Sequence, residues 1–234
     1  MLPIDRIKKI ILNPKEEWPV IEQEITTPKE LYVRYIVILA AIPAVCSFLG
    51  MWLVGITVPL LGKITLPFGS GLTSAIVQYG LSLALVWGLA LIIDELAPKF
   101  GAEKNFIQSL KLVAYAMTPG YIAGVFNLIP SLAILSALAG IYGLYLLYLG
   151  LPVMKKPDPA RVGTYFIVSL VLAIVASIIL QVIVRQVVSP PVYPQAQFSK
   201  NATNAEVEAA KLMETSGNIL KGLNEKLQEA SKQK

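Results

Sequence analysis

The sequence of 234 residues contains no histidine and a single cysteine, Cys46, and only 15% of its residues are charged. Histidine is the commonest general base and metal ligand, so its absence excludes the catalytic and metal sites that depend on it. One thiol forms neither an intramolecular disulfide nor a zinc cluster, and the apolar run around Cys46 favours a small buried side chain. A soluble domain carries about 25% charged residues, so the low charge excludes an ordinary soluble enzyme.

Long apolar runs account for most of the chain, which is 55% hydrophobic with a mean hydropathy of +0.64. A run of about 20 apolar residues spans the bilayer core as a helix. The stretch from 112 to 154 is uncharged and far too long for one crossing at about 1.5 Å per residue, so a turn at 127–130 divides it. The sequence therefore predicts five crossings, at about 35–55, 74–93, 112–126, 131–151 and 164–184.

The predicted fold class is all-α: a polytopic membrane protein with a bundle of five transmembrane helices. A head with an amphipathic segment occupies 1–34, the five-helix domain occupies 35–188, and a Pro-rich linker with a soluble, coiled-coil-like helix occupies 189–234. In the loop 56–73, Gly62 and Lys63 are candidates for the turn of a short hairpin.

The head contains a short basic amphipathic helix whose apolar residues share one face, namely Ile4, Ile7, Ile10 and Ile11. Such a helix either lies on an anionic lipid surface or packs on the protein's own loops, and the sequence leaves both open. Trp18 is predicted to be an interfacial anchor. Thr27 is predicted to cap the next helix, with Pro28 at its first position.

Lysine and arginine are distributed unevenly between the two sides of this topology. Twelve lie on the side of the head, whereas the short loops of the other side hold only Lys63 and Arg185. By the positive-inside rule the N-terminus is cytoplasmic, and an odd number of crossings places the C-terminus outside.

Few polar side chains fall within or beside the crossings, and such residues are functional candidates because burying them in lipid is costly. They are Gln78 and Gln181 within crossings, Asn127 at a turn, and Asp94 and Glu95 at the end of the second crossing. The candidates for a polar or acidic site are Gln78, Asp94, Glu95 and Asn127. Asp94 and Glu95 either neutralise basic residues such as Lys111 or Lys155, or form an acidic site for a cation or a partner.

Thr118, Pro119 and Gly120 interrupt the third predicted crossing. Proline removes a backbone donor and glycine loosens the same turn, so we predict a broken helix. Broken helices build binding sites in many transporters, and they also occur as simple kinks in packed bundles.

Small residues recur at a spacing of four, which lets helix backbones approach closely in lipid. The interpretation favours helix packing within the chain, although contacts between chains are an alternative. The residues are Gly80, Ala84 and Gly88 in the second crossing, Gly124 after the break, and Ser169, Ala173 and Ser177 in the fifth crossing.

The tail helix shows apolar residues at alternating spacings of three and four, typical of a coiled-coil seam. Its central positions are Met213, Leu220, Leu223 and Leu227. The seam either pairs with a copy or a partner, or folds onto the protein or the membrane surface.

Catalytic and cofactor motifs are missing from the sequence: there is no nucleophile–base pair, Gly-rich phosphate loop or metal-ligand spacing. We therefore expect no enzymatic activity, no metal and no cofactor. The basic residues do not cluster with aromatics on one face, so nucleic acid is not an expected partner.

Three stretches together resemble a known family: Asn13-Pro-Lys-Glu-Glu-Trp18, Leu112-Val-Ala-Tyr-Ala-Met-Thr-Pro119, and Ile141-Tyr-Gly-Leu-Tyr-Leu-Leu-Tyr-Leu-Gly-Leu-Pro152 followed by two lysines. They resemble the prokaryotic branch of the Yip-domain (Ypt/Rab-interacting) membrane proteins over about 10–188. The resemblance implies five crossings with a cytoplasmic N-terminus. Eukaryotic relatives act in vesicle trafficking and bind small GTPases and one another, a role that does not transfer to a prokaryotic cell.

The leading functional hypothesis is a non-enzymatic scaffold, assembly factor or accessory subunit in a prokaryotic inner membrane. Its expected partners are the lipid bilayer and other membrane proteins or itself, through small-residue faces and the tail. The alternative is a small transporter or channel with a pathway at the broken third helix.

Overall fold

The structure, a computed structural model, describes residues 3–58, 62–187, 211–216 and 221. By internal contacts the chain divides into two units, Met1–Pro191 and Val192–Lys234. In the second unit residues 211–216 are helical. Everything that follows about packing concerns the first unit.

Two short helices form the head, α1 (Pro3–Leu12) and α2 (Pro14–Gln23). The inner face of α1 packs on the protein itself, since Ile10 is fully buried and Ile7 and Ile11 lie against the same core. The structure thus favours the second of the two interpretations of the amphipathic segment. Ile4 at the other end of this face stays exposed.

The first membrane-spanning run is Pro28–Val54. It consists of α3 (Pro28–Leu31), a π-turn, α4 (Val37–Leu49) and a second π-turn. The predicted start is confirmed, because the Thr27 hydroxyl oxygen accepts a hydrogen bond from the Glu30 amide and the Thr27 amide donates to the Glu30 carboxylate, forming a capping box with Pro28 inside the first turn.

A short antiparallel hairpin follows, with β1 (Ile56–Val58) and β2 (Gly62–Ile64). Val58 pairs with Gly62 and Thr57 pairs with Lys63. The prediction that Gly62 and Lys63 make the turn is wrong, since both lie in the second strand. The alternation of apolar and polar residues in this loop is too weak to fix the register in which the two strands pair.

The long helix α5 (Phe68–Leu96) then returns to the side of the head and ends in a 3-10 turn, Ala97–Phe100. The next segment is broken: α6 (Phe106–Ala116), a turn at Met117, α7 (Thr118–Ala123) and a 3-10 turn, Gly124–Leu128. Two uninterrupted helices complete the unit, α8 (Ala133–Lys155) and α9 (Val162–Val187).

Four helical runs in the described part of the chain are long and apolar enough to cross a membrane: Pro28–Val54, Phe68–Phe100, Pro130–Lys155 and Pro159–Ile179. The predicted third crossing is not among them, because Met117 interrupts it and Pro119 supplies no amide hydrogen at the start of α7. Four of the five predicted crossings therefore match continuous apolar runs, and the third segment is broken as the sequence predicted.

The buried core lies in the half of the bundle nearest the head. It combines residues of the start of the first run (Leu31 to Ala40), the end of α5 with Ala97 after it, most of α6 and the end of α8 (Leu146 to Met154). Single residues of the head, α7 and α9 complete it, namely Ile10, Trp18, Ile21, Tyr121 and Tyr165. Elsewhere the long helices expose large apolar side chains, such as Ile134 and Ile178. Apolar surface of that extent is typical of helices that face lipid.

Candidate functional site

A buried polar cluster joins the ends of α5, α6 and α8 on the side of the head. The Lys155 ammonium donates to Asp94 Oδ1 at 2.7 Å, and neither side chain is more than 7% exposed. The same oxygen accepts from the Asn105 amide at 2.8 Å and from Ser109 Oγ at 3.1 Å. Of the two interpretations of Asp94, this geometry matches neutralisation by Lys155, because its carboxylate is already occupied.

Glu95 points the other way and pairs with Lys104 at 2.7 Å, with both side chains at least half exposed. A comparable exposed pair joins Lys156 to Glu22, at 2.9 Å. In each pair the carboxylate raises the pKa of the lysine, chiefly through the hydrogen bond. Exposed pairs contribute little to stability, so Glu95 serves no evident structural purpose.

Lys111, the other basic residue that the sequence suggested for Asp94, binds elsewhere. Its buried ammonium donates to three backbone carbonyls at the C-terminal end of α2, those of Ile21, Glu22 and Glu24, at 2.9, 3.4 and 2.5 Å. A lysine at the negative end of the helix dipole satisfies carbonyls that the helix itself leaves unpaired. Lys111 therefore fixes the head to α6.

A second buried charge holds the head together. Arg6 of α1 donates to the Glu17 carboxylate of α2 and, at 2.8 Å, to Glu24. The guanidinium also lies 6.0 Å from the ring centroid of Tyr115 on α6. Because these groups neutralise one another in a largely dry environment, the head is a docked part of the unit.

The helix break lies deep in the core. Thr118 is fully buried, and its Oγ1 lies 2.7 Å from the Tyr35 hydroxyl and 3.3 Å from the carbonyl of Ala114. Pro119 is buried as well, and Gly120 faces an apolar cavity. The break exposes no charge, so its chemistry is that of an apolar site.

The four polar candidates do not converge. Asp94 lies at the head end of α5, and Gln78 lies sixteen residues earlier on an exposed part of the same helix, roughly 24 Å away. Asn127 lies at the far end of the bundle and accepts a hydrogen bond from Ser136 at 2.9 Å. The structure thus assembles no polar pathway from these residues.

The predicted small-residue faces have three different environments. Gly80 and Ala84 are exposed, and a Cβ added to Gly80 or Gly88 would meet nothing within 4 Å, so this face packs on no other described element. The preference for packing within the chain is wrong for this face. Gly124 does pack, since its added Cβ would lie 2.6 Å from Pro43 Cβ.

On α9, the predicted fifth crossing, the small residues also differ from the packed face that the sequence indicated. Ser169 and Ala173 line the apolar cavity beside Gly120, whereas Ser177 donates to the carbonyl of Ile174 in its own helix at 2.8 Å. Spacing alone did not distinguish a face that packs from one that leaves space.

For the tail seam, Met213 lies in the helical stretch 211–216 and is 78% exposed. Leu220, Leu223 and Leu227 lie outside the described residues. The pairing of the tail stays a prediction.

The three family-like stretches meet at one contact that sequence reasoning missed. Trp18 is fully buried, which corrects its prediction as an interfacial anchor. A Cβ on Gly150 would lie 2.6 Å from Trp18 Cε2 and 2.7 Å from Leu112 Cδ1. The indole therefore requires a glycine at position 150. The periodicity of apolar residues in the sequence does not indicate such a requirement.

Within the described ranges no group of three or more cysteine, aspartate and glutamate side chains is placed to hold a metal ion. The carboxylates of Asp94 and Glu17 accept from basic side chains instead.

Comparisons with known proteins agree with a membrane location. The inner membrane protein YohC of Escherichia coli strain K12 is 29% identical over 143 residues, which cover 60% of this chain and 73% of that protein. The protein of the same name in E. coli O6:H1 matches to the same extent. No solved structure matches the chain significantly. The Yip1 domain model matches residues 8–181, and the chain belongs to the Yip1 domain family.

Proposed function

We propose that the protein is a non-enzymatic scaffold or accessory subunit in a prokaryotic inner membrane, and that it associates with itself or with other membrane proteins through the outer face of α5. The single observation that carries this proposal is the Gly80 face, which is made of small residues and contacts no described element. Small faces of this kind let a second helix approach closely in lipid.

The contrast with four other glycines supports this assignment. Added Cβ atoms on Gly50, Gly124, Gly143 and Gly150 would all come within 3 Å of a neighbouring element. Those glycines are needed for packing inside the chain. Gly80 and Gly88 have no such use, although glycine in a helix costs about 0.5–1 kcal/mol relative to alanine.

We also propose five passages through the bilayer, with a cytoplasmic N-terminus and the C-terminus outside. The broken segment starts beside Asp94 and Lys155, and it ends where the carbonyls of Asn127 and Leu128 approach Gly50 at the far end of the first run. It therefore runs the length of the bundle, and broken helices are tolerated in membranes when protein surrounds them.

A transporter has weaker support. Its predicted pathway needed Gln78, Asp94 and Asn127 near the helix break, and these residues lie at different depths and on different faces. In addition, Asp94 is already paired with Lys155, so an ion would have to displace a buried ammonium.

The proposal is tested by purifying the full chain from native membranes in mild detergent, sizing it and identifying what accompanies it. We expect a complex larger than one chain that Gly80→Leu combined with Gly88→Leu disrupts. Ala137→Leu is the matched control, because Ala137 is an exposed small residue on α8. A chain truncated after residue 191 shows whether the tail contributes.

A lone chain in the unaltered protein would overturn the proposal. So would a complex that survives both α5 substitutions.

A further inference from the structure

An apolar cavity of about 340 Å³ lies between α5, the helix break, α8 and α9. Small residues create it: Gly120 at the break, Gly140 and Gly143 on α8, and Ala173 on α9. The remaining walls are large aliphatic side chains with Met117 and Tyr121. Its volume is about twice that of a roughly 150 Å³ protein cavity that binds benzene, so it has room for a chain of several methylene groups.

The cavity opens towards the lipid-facing surface of α8. Gly140 and Leu144 belong to its lining and are exposed, and the adjacent Ile141 is 63% exposed. Near the side of the head, α8 and α9 are in contact through Tyr148 and Phe166, whose ring centroids lie 5.3 Å apart. Below this contact the small residues separate the helices, so a ligand can enter sideways from the hydrocarbon.

Two side-chain hydroxyls belong to the otherwise apolar lining, and one of them, that of Tyr121, donates to Met117 Sδ at 3.7 Å. Ser169 is 2% exposed and lines the cavity, and its Oγ has no hydrogen-bond partner among the described residues. Leaving a buried hydroxyl without a partner costs about 1–3 kcal/mol. A water needs two to four polar partners, and besides Ser169 the side chains of this lining offer only the Tyr121 hydroxyl, which already donates to Met117, so the Ser169 hydroxyl is better satisfied by a ligand that carries an acceptor.

The depth of Ser169 indicates what kind of acceptor that is. Ser169 lies about one helical turn beyond Tyr165, which donates to the carbonyl of Ile93 next to the Asp94–Lys155 pair. The charged pair lies at the level of the lipid headgroups on the side of the head. The polar layer is about one helical turn thick, so Ser169 lies near its inner edge, where phospholipids carry their ester carbonyls, with the acyl chains below.

We propose that the cavity binds one acyl chain of a membrane phospholipid, whose ester carbonyl accepts a hydrogen bond from Ser169. The apolar walls, the lateral opening and the single donor at the upper end match such a chain in polarity and direction. The site is independent of the Gly80 face, which lies on a part of α5 outside the cavity lining.

Photolabelling of the full chain in vesicles of phosphatidylethanolamine and phosphatidylglycerol tests the proposal, using phosphatidylethanolamine with a diazirine in one acyl chain. We expect adducts at Leu147 and Leu170, the lining leucines of α8 and α9 that are not exposed. Gly140→Leu fills the entrance and removes these adducts, and it is tolerated because a Cβ there meets nothing within 4 Å. Adducts at the lipid-facing Ile178 provide the reference for ordinary contact with the bilayer.

Ser169→Ala removes the donor and is expected to weaken labelling of the lining about fivefold, the effect of losing one hydrogen bond. Ala137→Leu, on the same helix as Gly140, is the control that leaves labelling unchanged. Mass spectrometry of the detergent-purified protein is expected to find a retained phospholipid.

Three results would overturn the proposal. One is labelling of the lining that persists in Gly140→Leu while the thermal melt matches that of Ala137→Leu. Another is labelling of the lining no stronger than that of Ile178. The third is a retained free fatty acid or quinone in place of a phospholipid.

Discussion

The indole of Trp18 lies directly over the backbone of Gly150, and a Cβ there would sit 2.6 Å from Trp18 Cε2. Leu112 closes the same contact from α6. One residue from the head, one from the broken segment and one from α8 thus form a single packed cluster. Loss of the glycine would push the head away from the helices, because neither the indole nor the leucine has free space to move into.

Gly150→Ala is therefore expected to lower the stability of the folded unit by about 1–3 kcal/mol, the usual cost of overpacking a core. Thermal unfolding in detergent measures the loss, and limited proteolysis at the head checks that it is the head that detaches. Gly163→Ala is the matched control, since a Cβ at that position of α9 meets nothing within 4 Å. Equal melting temperatures for the two variants would contradict the argument.

The buried pair makes a second prediction. Lys155→Met leaves the Asp94 carboxylate buried without its cation, which costs about 3 kcal/mol or more when one partner of such a pair is removed. Because Asp94 keeps its bonds from Asn105 and Ser109, Asp94→Asn in the same chain is expected to restore much of that loss. Chemical unfolding of the single and double variants in detergent gives the coupling between the two sites.

The control for this cycle is the exposed pair of Glu95 and Lys104. Lys104→Met combined with Glu95→Gln is expected to leave the unfolding curve unchanged, because exposed pairs are screened by solvent. Additive effects of the changes at Asp94 and Lys155 would show that their contact is not the source of the loss.

The sequence predicted the membrane class, the family and the main helical runs, because long apolar runs and capping residues are local signals. Thr27 and Pro28 mark a helix start that the structure confirms. The docking of the head was not predictable in the same way. The sequence pattern placed Arg6 on the polar face of its helix and offered Lys111 as a partner of Asp94, and only the three-dimensional arrangement supplies the partners with which both are buried.

The candidate site, too, was predictable from the sequence only in part. The sequence identified Asp94 and offered Lys155 as a partner, since both follow apolar runs that end on one side of the bundle. It did not identify the cavity, because a residue spacing of four predicts a small-residue face and not what lies against it. Gly80 with nothing near it and Gly124 against Pro43 have the same local sequence signal.

Lys111→Met is predicted to release the head from α6. The substitution retains the length of the side chain and removes the ammonium that bridges three carbonyls at the end of α2. Those carbonyls would be left unpaired at a buried helix end, so we expect cleavage within residues 24–27 by a protease added to the purified protein. Lys104→Met is the control, and unchanged protection of the head in Lys111→Met would refute this role.

The proposed topology is tested with single cysteines. Cys46→Ala removes the only thiol, after which cysteines are introduced at exposed positions, Lys8 in the head, Lys99 after α5, Thr65 after the hairpin and Thr215 in the tail. In sealed vesicles of known orientation we expect an impermeant maleimide to label positions 8 and 99 from the cytoplasmic face and positions 65 and 215 from the opposite face.

This pattern requires the broken segment to cross, because the four uninterrupted helices alone would return the tail to the side of the head. Labelling of positions 8 and 215 from one face would show an even number of crossings, and the segment from α6 to the 3-10 turn at Gly124 would then lie on one side of the membrane.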